Sequence, residues 1–372
     1  MKVLIVGGGI AGLTIAREFQ KRHENDVTVL DRNLAGREAS FAAAGMLAPQ
    51  AECDSADALF RFCSASRDFY PGFTDELRDE TGIDVGLDRE GTLAVAFDEA
   101  DEEELKDRYR WQVEAGLEVE RLSARETHKL EPFISPDSIG SLFFPKDWQV
   151  ENRALMGALR TSFEQRGGTL VEHEEIKSVA NDGKTSLMAG TGVYEGDVIV
   201  FATGAWTSLI EADRVEFEMP LVKPVKGQMI SYRTAKRLIS KVIYGAGGYL
   251  VPRNDGRVLV GATVEDAGFD KTVTDEGRES LRESALRVVP SLQNLRIDEN
   301  WSGLRPISGD GNPLIGALNE ELNIYISGGH YRNGILLAPL SARILVDHIL
   351  EDTRSEFLAD FSPARFVTAT AS

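Results

Sequence analysis

The chain has 372 residues, of which 42% are hydrophobic, so it can bury a large core and form more than one sub-domain. Its 41 basic and 60 acidic residues give a formal net charge of −19, which disfavours binding to the phosphate backbones of nucleic acids. No run of about eighteen apolar residues predicts a membrane span. Only two cysteines, Cys53 and Cys63, are present, which argues against a disulfide framework and for the reducing cytoplasm.

The first predicted elements form a nucleotide-binding unit. An apolar strand over residues 3–6 leads into Gly7, Gly9 and Gly12, which match the pattern G-x-G-x-x-G, and a helix follows. The second predicted strand ends at Asp31, 19 residues after Gly12. In this pattern the glycines permit a tight turn, approach of a pyrophosphate and close helix packing. The helix N-terminus favours phosphate, and the acid accepts hydrogen bonds from ribose hydroxyls.

The identity of the nucleotide stays open at this point. NAD, NADP and FAD all use the same pattern, and a strand-to-helix turn without a ligand is the structural alternative. An acid at position 31 argues against NADP, whereas the adjacent Arg32 leaves that cofactor possible.

The middle of the chain shows clear helical and strand patterns. Periodicity predicts a helix over residues 57–80, a strand over 92–97 and a charged, solvent-facing helix over 98–116. Ser123 and Glu126 have the spacing of a capping box, so another helix is expected to begin there.

The second half of the chain predicts a return to the first sheet and then a different one. A helix is predicted over residues 151–168, a strand over 169–179, and a buried strand followed by a helix over 195–210. Residues 225–264 alternate as strands of an antiparallel sheet, and residues 276–290 form an amphipathic helix.

This alternation predicts an α/β fold with two domains. A Rossmann-like nucleotide-binding domain would comprise residues 1–85, 150–215 and 300–372. A discontinuous α+β domain with an antiparallel sheet would comprise residues 86–149 and 216–299.

Metal chemistry has no support in the sequence. The segment VEHEEIK begins like the zinc motif H-E-x-x-H but has Lys177 in place of the second histidine. The five histidines show no paired spacing on one helix face, so we predict no metal site.

Seven segments together resemble the D-amino-acid oxidase family of flavoproteins: VGGGIAGL, ASFAAAGMLAP, FATGAW, GGYLVPR, GLRPISGDGNPLIG, GGHYRNGILLAP and FSPARF. The resemblance spans almost the whole chain, and it includes the glycine-oxidising members that serve thiamine biosynthesis. It implies that the first domain binds FAD and the second binds the substrate. Members with covalent flavin attach it through a cysteine, and neither cysteine lies near RPISGDG, so non-covalent FAD is expected.

The motif and the resemblance together assign two groups of site residues. Those expected to bind FAD are Gly7, Gly9, Ile10, Ala11, Gly12, Asp31, Arg32, Ala39, Ser40, Ala44, Gly45, Met46, Ile176, Gly204, His330, Tyr331, Arg332, Asn333, Gly334, Ile335 and Leu336. By resemblance, Tyr249 and Arg305 would hold the substrate carboxylate, Arg332 would lie close by, and Met46 would lie beside the substrate over the flavin.

The chemistry explains why an arginine is expected in such a site. Hydride transfer from the α-carbon of a neutral amine needs correct position more than a side-chain acid or base. The guanidinium of Arg305 would fix the carboxylate through two parallel hydrogen bonds, with Tyr249 as a second donor. Backbone N–H groups at residues 334–336 would face negative charge on the flavin, and Arg332 would attract an anionic substrate. The structural alternatives are a surface ion pair for Arg332, hydrogen bonds to backbone carbonyls for Arg305, and a half-buried strand position for Tyr249.

Four functional hypotheses follow. The first is an oxidase that converts glycine, sarcosine or small D-amino acids with oxygen to a 2-oxo acid such as glyoxylate, ammonia and hydrogen peroxide, and that feeds thiazole formation. The second is a dehydrogenase for D-amino or N-methyl amino acids with another electron acceptor. A catalytically silent flavin-holding subunit and an NAD enzyme are the third and fourth. The expected partners are therefore a small amino acid and molecular oxygen, with no nucleic acid and no membrane, in a cytoplasmic homo-oligomer.

Overall fold

The computed structural model describes residues 1–22 and 26–370. Its strands are β1 (Lys2–Val6), β2 (Asp26–Asp31), β3 (Met46–Leu47), β4 (Thr92–Ala96), β5 (Glu120–Ser123), β6 (Gly140–Phe144), β7 (Trp148–Gln149), β8 (Thr169–Glu172), β9 (Ile176–Asn181), β10 (Thr185–Ala189), β11 (Val193–Glu195), β12 (Val198–Phe201), β13 (Glu211–Asp213), β14 (Val222–Arg233), β15 (Val242–Gly245), β16 (Gly248–Pro252), β17 (Arg257–Gly261), β18 (Ile297–Ser308), β19 (Leu314–Asn319) and β20 (Ile324–Gly328).

Helices connect and cover these strands. They are α1 (Ile10–Arg22), α2 (Ala39–Ala42), α3 (Pro49–Glu52), α4 (Ala58–Thr81), α5 (Glu99–Glu114), α6 (Ala124–Leu130), α7 (Asn152–Gln165), α8 (Asp275–Val288), α9 (Gly334–Glu351) and α10 (Glu356–Asp360), with 3-10 turns at Gly204–Leu209, Pro290–Asn294 and Pro363–Thr370. None of the helices in the described ranges is both long and apolar enough to cross a bilayer.

The first sheet, here called the parallel sheet, has six strands in the order β19-β20-β12-β1-β2-β8. Neighbouring strands are parallel except that β19 is antiparallel to β20. Helices α1, α4, α7 and α9 cover one face, and the four-stranded sheet β11-β10-β9-β13 covers the other. Apolar residues therefore occupy both faces of β1: Val3 and Ile5 pack against the helices, and Leu4 and Val6 pack toward the four-stranded sheet.

The second sheet, here called the antiparallel sheet, has eight strands in the order β18-β14-β17-β16-β15-β4-β6-β5. Its neighbouring strands are antiparallel except for β15 and β4. Helix α8 packs on one face through Leu281 and Ala285. On the other face, Met229 and Tyr249 pack with Ala44, which follows α2. That second face therefore lies next to the nucleotide-binding part of the chain.

The predicted α/β fold, with a parallel sheet and a separate antiparallel sheet, is confirmed. The helices expected over residues 57–80, 98–116 and 151–168 are α4, α5 and α7. The capping box is also present, because Ser123 and Glu126 exchange side-chain and backbone hydrogen bonds at the start of α6.

Three expectations differ from the structure. The strand predicted over residues 169–179 is two strands in different sheets, because His173 takes a left-handed conformation with φ of 61° between them. The helix predicted to follow β12 is only the 3-10 turn Gly204–Leu209. The domain boundary predicted at residue 300 falls inside β18, which pairs with β14 of the antiparallel sheet. The division into domains therefore remains a prediction, and by strand pairing the first domain resumes after β18.

The first turn of α9 is held in place by α4. Pro339 lies inside α9 and has no N–H to donate to the carbonyl of Ile335, four residues earlier. The hydroxyl of Tyr70 donates to that carbonyl at 2.5 Å, and the hydroxyl of Ser66 donates to the carbonyl of Leu336 at 2.6 Å. Both hydroxyl groups are buried, so α4 supplies the Ile335 carbonyl with the donor that proline removes and adds a further bond at Leu336.

We expect Tyr70→Phe to lower the free energy of unfolding by about 1–3 kcal/mol, because the buried Ile335 carbonyl loses its donor. In this background Pro339→Ala should recover most of the loss, since alanine restores the backbone N–H. Urea unfolding of the four variants of this cycle measures the coupling. Tyr109→Phe is the control, because the Tyr109 hydroxyl forms no hydrogen bond with the described residues. Equal unfolding energies for Tyr70→Phe and Tyr109→Phe would contradict this account.

Candidate functional site

A cavity of about 520 Å³ lies between the two sheets. One wall is the carboxyl edge of the parallel sheet, since residues at the ends of β1, β2, β12 and β20 line it. The opposite wall comes from β14, β16 and β18 of the antiparallel sheet. The carboxyl edge of an open α/β sheet is where such folds bind ligands, so this is the candidate site.

The cavity brings together nearly all of the predicted site residues. Those that line it are Gly7, Gly9, Ile10, Ala11, Asp31, Arg32, Ala39, Ser40, Ala44, Gly45, Met46, Ile176, Gly204, Tyr249, Arg305, His330, Tyr331, Arg332, Asn333, Gly334 and Ile335. Gly12 and Leu336 do not line it. Neither Cys53 nor Cys63 lines it, and both are buried elsewhere. Within residues 1–22 and 26–370, no group of three or more His, Cys, Asp or Glu side chains could hold a metal ion.

The two exceptions, Gly12 and Leu336, belong to the packing around the site and not to its lining. A Cβ atom at Gly12 would come within 1.8 Å of the carbonyl oxygen of Gly7, so this glycine allows α1 to pack against the turn. Gly7 itself has φ of 106°, and a Cβ there would lie 2.3 Å from the carbonyl oxygen of Ala202, which directly follows β12. Leu336 is buried in the helical core beneath α9. Gly12 and Leu336 therefore support the cavity wall without lining the cavity.

Asp31 closes the glycine-rich turn. Its Oδ2 accepts a hydrogen bond from the Gly8 N–H at 2.7 Å, and its Oδ1 accepts from the Asn33 N–H at 2.8 Å. Burial raises the pKa of Asp31 above its ordinary value. The neighbouring Arg32 lies over the ring of Trp206, with 4.8 Å between its guanidinium carbon and the ring centroid. Arg32 is thus already engaged by an aromatic ring rather than directed at an additional phosphate.

Small residues line the middle of the cavity. The hydroxyl of Ser40 accepts a hydrogen bond from the Ile10 N–H at 2.9 Å, so α2 is tied to the start of α1. Gly45 has φ of 73°, and a Cβ there would lie 2.1 Å from the carbonyl oxygen of Val150. Gly45 therefore allows this wall to pack against the Val150 carbonyl, and the small side chains of Ala42, Ala43 and Ala44 leave room for a flat ring.

Two buried polar atoms in the cavity wall have no hydrogen-bond partner among the described residues. They are the hydroxyl oxygen of Ser327 and Nε2 of His330. Burial lowers the pKa of His330 to about 4, so its imidazole is neutral near pH 7. Unpartnered buried polar atoms are costly, and both belong to residues that line the cavity.

Arg305 is the cation on the antiparallel wall. Its Nη1 donates to the carbonyl oxygen of Thr263 at 3.1 Å and, at 3.4 Å, to that of Lys226. A Cβ atom at Gly227 would lie 2.3 Å from the guanidinium, so the side chain lies flat against that backbone. In the part of the chain that the structure describes, no carboxylate forms an ion pair with Arg305. Arg305 therefore forms the hydrogen bonds to backbone carbonyls that its structural alternative predicted. Its positive charge has no counter-ion among the described residues.

Tyr249 lies beside Arg305 and is buried. Its hydroxyl donates to the sulfur of Met229 at 3.4 Å. Burial raises the pKa of Tyr249, and the charge of Arg305 partly opposes this effect. Tyr249 is therefore a neutral hydroxyl donor inside the cavity.

Arg332 forms an ion pair with Glu52, as its predicted structural alternative requires. Its Nε lies 2.7 Å from Oε2 of Glu52, and its Nη2 donates to Oε1 at 3.1 Å. The charge of Glu52 raises the pKa of Arg332. The hydroxyl of Tyr244 donates to the same carboxylate, and its oxygen lies 3.1 Å from the sulfur of Met46. The charge of Arg332 is thus balanced locally, which weakens the expectation that it attracts an anion.

Sequence reasoning missed four important wall residues: Glu52, Trp206, Gly227 and Met229. Gly227 carried a usable signal, because a glycine inside a predicted strand often marks a close backbone approach. Glu52 carried no such signal, since its partner Arg332 is 280 residues away.

Comparisons with known proteins agree with this geometry. A family model described as FAD dependent oxidoreductase (DAO) matches residues 2–348. The glycine oxidase of Geobacillus kaustophilus (strain HTA426) is 33% identical over 368 residues, which are 98% of this chain and 97% of that protein. The bifunctional protein ThiO/ThiG of Synechocystis sp. is 36% identical over an alignment of 377 positions, which covers 99% of this chain and 54% of that protein. The crystal structure of glycine oxidase from Geobacillus kaustophilus has a TM-score of 0.91 at 34% identity and 97% coverage of each chain. The similarity covers both sheets.

The neutral state of His330 makes stability depend on pH. The unfolded chain takes up a proton near pH 6.5, whereas the folded protein does so only near pH 4. The unfolded state therefore binds more protons between these values, and the free energy of unfolding falls as the pH falls. For one such group the loss is about 2 kcal/mol between pH 7 and pH 5. We expect His330→Asn to lose about 2 kcal/mol less than the natural protein over this interval, measured by urea unfolding. An identical loss in both proteins would contradict this assignment.

Proposed function

This chain belongs to the FAD dependent oxidoreductase family, and on that premise we propose that it oxidises glycine and other small amino acids, including sarcosine and small D-amino acids. The products would be a 2-oxo acid (glyoxylate from glycine), ammonia and, with oxygen as electron acceptor, hydrogen peroxide. The relatives named glycine oxidase support this substrate class. The observation that carries the proposal is the unneutralised Arg305 beside Tyr249, in the cavity that also contains the glycine-rich turn.

Membership of this family confirms the FAD predicted from the sequence and removes the NAD alternative. The cavity fits this cofactor. The glycine-rich turn and the N-terminus of α1 would hold the pyrophosphate, and Asp31 would accept from the ribose. Ser327 and His330, each with an unpartnered polar atom, belong to the cavity lining beside which a heterocyclic ring would lie. Bound FAD supplies the acceptor for the hydride of the substrate. Because neither cysteine lines the cavity, we propose that FAD is bound without a covalent link.

The substrate carboxylate would bind to Arg305. This guanidinium is held in place by two backbone carbonyls and lies against Gly227, so it is already oriented before an anion arrives. An anion bonded to it would neutralise a part-buried charge in a site of low dielectric. The hydroxyl of Tyr249 would donate a further hydrogen bond, because burial keeps it protonated.

Helix α9 would stabilise negative charge that develops on the ligand during reaction. Its N-cap residue Asn333 makes no side-chain capping bond, and Asn333, Gly334 and Ile335 line the cavity. The first N–H groups of an α-helix have no partner within the helix and carry a partial positive charge. The Tyr70 bond at Ile335 keeps this turn in position, so the amides are oriented before the reaction.

The biological setting belongs to the same proposal. The ThiO/ThiG relatives support a role in supplying the thiazole step of thiamine biosynthesis. We propose a cytoplasmic homo-oligomer that uses molecular oxygen. The second candidate is an FAD-dependent dehydrogenase for D-amino or N-methyl amino acids with another acceptor.

A substrate panel tests the proposal. Purified holoenzyme is mixed with glycine, sarcosine, D-alanine and L-alanine, and both flavin bleaching without air and peroxide release in air are recorded. Peroxide release with glycine supports the oxidase. Bleaching without peroxide favours the dehydrogenase, and no bleaching with any of them overturns both.

Arg305→Met should lower kcat/KM for glycine at least about 100-fold, because a fixed carboxylate loses its charged partner. The matched control is Arg278→Met on α8, whose side chain forms an exposed ion pair with Asp275 outside the cavity. This control should stay within about two-fold of the natural enzyme. If Arg305→Met binds FAD and keeps the natural kcat/KM, the carboxylate site lies elsewhere.

The ion pair between Arg332 and Glu52 generates a separate prediction. The Glu52 side chain is only 8% exposed, so Arg332→Met leaves a nearly buried negative charge beside the substrate carboxylate. We expect kcat/KM to fall, with KM rising more than kcat falls. The double variant Glu52→Gln/Arg332→Met removes both charges and should recover at least about ten-fold in kcat/KM over Arg332→Met. A double variant no better than the single one would show that Arg332 itself binds the substrate.

A further inference from the structure

Arg253, the last residue of the segment GGYLVPR, is a buried cation outside the cavity lining. It follows β16, and only 4% of its surface is exposed. Its Nη1 donates to Oε1 of Gln149 at 2.6 Å and to the carbonyl oxygen of Val150 at 3.1 Å. Its Nη2 donates to the carbonyl oxygen of Ala44 at 2.8 Å and to Oδ1 of Asn152 at 3.1 Å. The Arg253 side chain thus hydrogen-bonds both to Ala44, which lines the cavity, and to residues 149, 150 and 152, which do not.

Asn152 extends this network to the glycine-rich turn. Its Nδ2 donates to the carbonyl oxygens of Ser40 at 2.8 Å and Phe41 at 3.1 Å. The hydroxyl of Ser40 accepts from the first N–H of α1, at Ile10. A continuous chain of hydrogen bonds therefore links Arg253 to the N-terminus of the helix that would face the pyrophosphate.

The backbone from Ala44 to Met46, which forms part of the cavity wall, packs directly against this network. Gly45 has left-handed geometry, and a Cβ there would lie 2.1 Å from the Val150 carbonyl oxygen and 3.4 Å from Nη2 of Arg253. Ala44, Gly45 and Met46 all line the cavity. A displacement of the Arg253 guanidinium would therefore move the backbone of this wall.

The charge of Arg253 is poorly matched by carboxylates. Its nearest one, on Glu151, lies 3.9 Å from Nε, is not hydrogen-bonded to it and is shared with Arg257 at 3.5 Å. Burial lowers the pKa of Arg253 to about 10, so it remains a cation at neutral pH. A buried cation that is bonded chiefly to neutral oxygens contributes little to stability, because removing its charge from water is costly. A guanidinium, however, can serve four fixed acceptors in one plane, which an apolar side chain or lysine cannot do.

We propose that Arg253 is a positioning residue that fixes the wall Ala44–Met46 of the FAD cavity through Ala44, Val150 and Asn152. Its loss would loosen the fit of the cofactor. The inference depends on FAD binding alone and not on the proposed substrate, so failure of glycine oxidation would leave it untouched.

Dilution of the holoprotein tests this role, with released FAD followed by its fluorescence to give a Kd. We expect Arg253→Met to raise the Kd at least about ten-fold and Arg253→Lys to have an intermediate effect, because lysine keeps the charge but not the planar donors. The matched control is Arg17→Met on α1. Arg17 is equally buried and is paired with Glu80 at 2.7 Å, but it does not line the cavity or join the network. The control should lower the melting temperature and leave the Kd within about two-fold of the natural protein.

A second variant keeps the test decisive if Arg253→Met does not fold. Asn152→Leu retains Arg253 and cuts the link to Ser40, and we expect it to raise the Kd about three-fold or more. A purely structural role predicts lower melting temperatures with an unchanged Kd. The proposal is overturned if the Kd stays natural in Arg253→Lys and Asn152→Leu, or if Arg17→Met raises it equally.

Discussion

The guanidinium of Arg305 lies flat against the backbone of Gly227, and this contact requires a specific register between β14 and β18. In that register Val225 lies opposite Arg305 and Gly227 lies opposite Gly303. Both glycines leave space: one accommodates the guanidinium, and the other admits Ala42 of α2, whose Cβ lies 2.5 Å from where a Cβ at Gly303 would be. A shift by one residue would turn Arg305 to the other face of the sheet. The pairing of β14 with β18 therefore fixes both the position of the Arg305 guanidinium and the close approach of α2.

Three cations in and around the cavity are held in three different ways. Arg332 is neutralised by Glu52, Arg253 is buried among neutral oxygens, and Arg305 has carbonyl partners and an open side toward the cavity. Only the third arrangement leaves a charge ready for a ligand anion, because the first has a counter-ion and the second is inaccessible. The unpaired charge of Arg305 lies in a chain of net charge −19, so anion binding here would be a property of this one side chain and not of the surface.

The sequence predicted those features that depend on local geometry. Gly7 and Asp31 lie within one strand–turn–helix–strand unit, where the need for a tight turn and a buried acid is visible in residue spacing. Features that depend on distant strand pairing were not predictable in this way. The pairing of Glu52 with Arg332 and the extension of β18 past residue 300 arise only when both sheets are assembled. The break at His173 was missed because this segment contains no glycine or proline, the usual signals of a turn.

The proline inside α9 connects fold to reactivity. A helix whose first turn forms part of a binding site benefits from rigid amides, because amides that are already oriented need no reorganisation when charge develops. Pro339 removes one donor from that turn, and the hydroxyl of Tyr70 replaces it from α4. The carbonyl of Ile335 is thereby bonded to a different helix, so the turn is fixed to the core as well as to its own axis. The N-terminal amides at Gly334 are therefore held by tertiary structure, which a helix stabilised only by its internal ladder would not achieve.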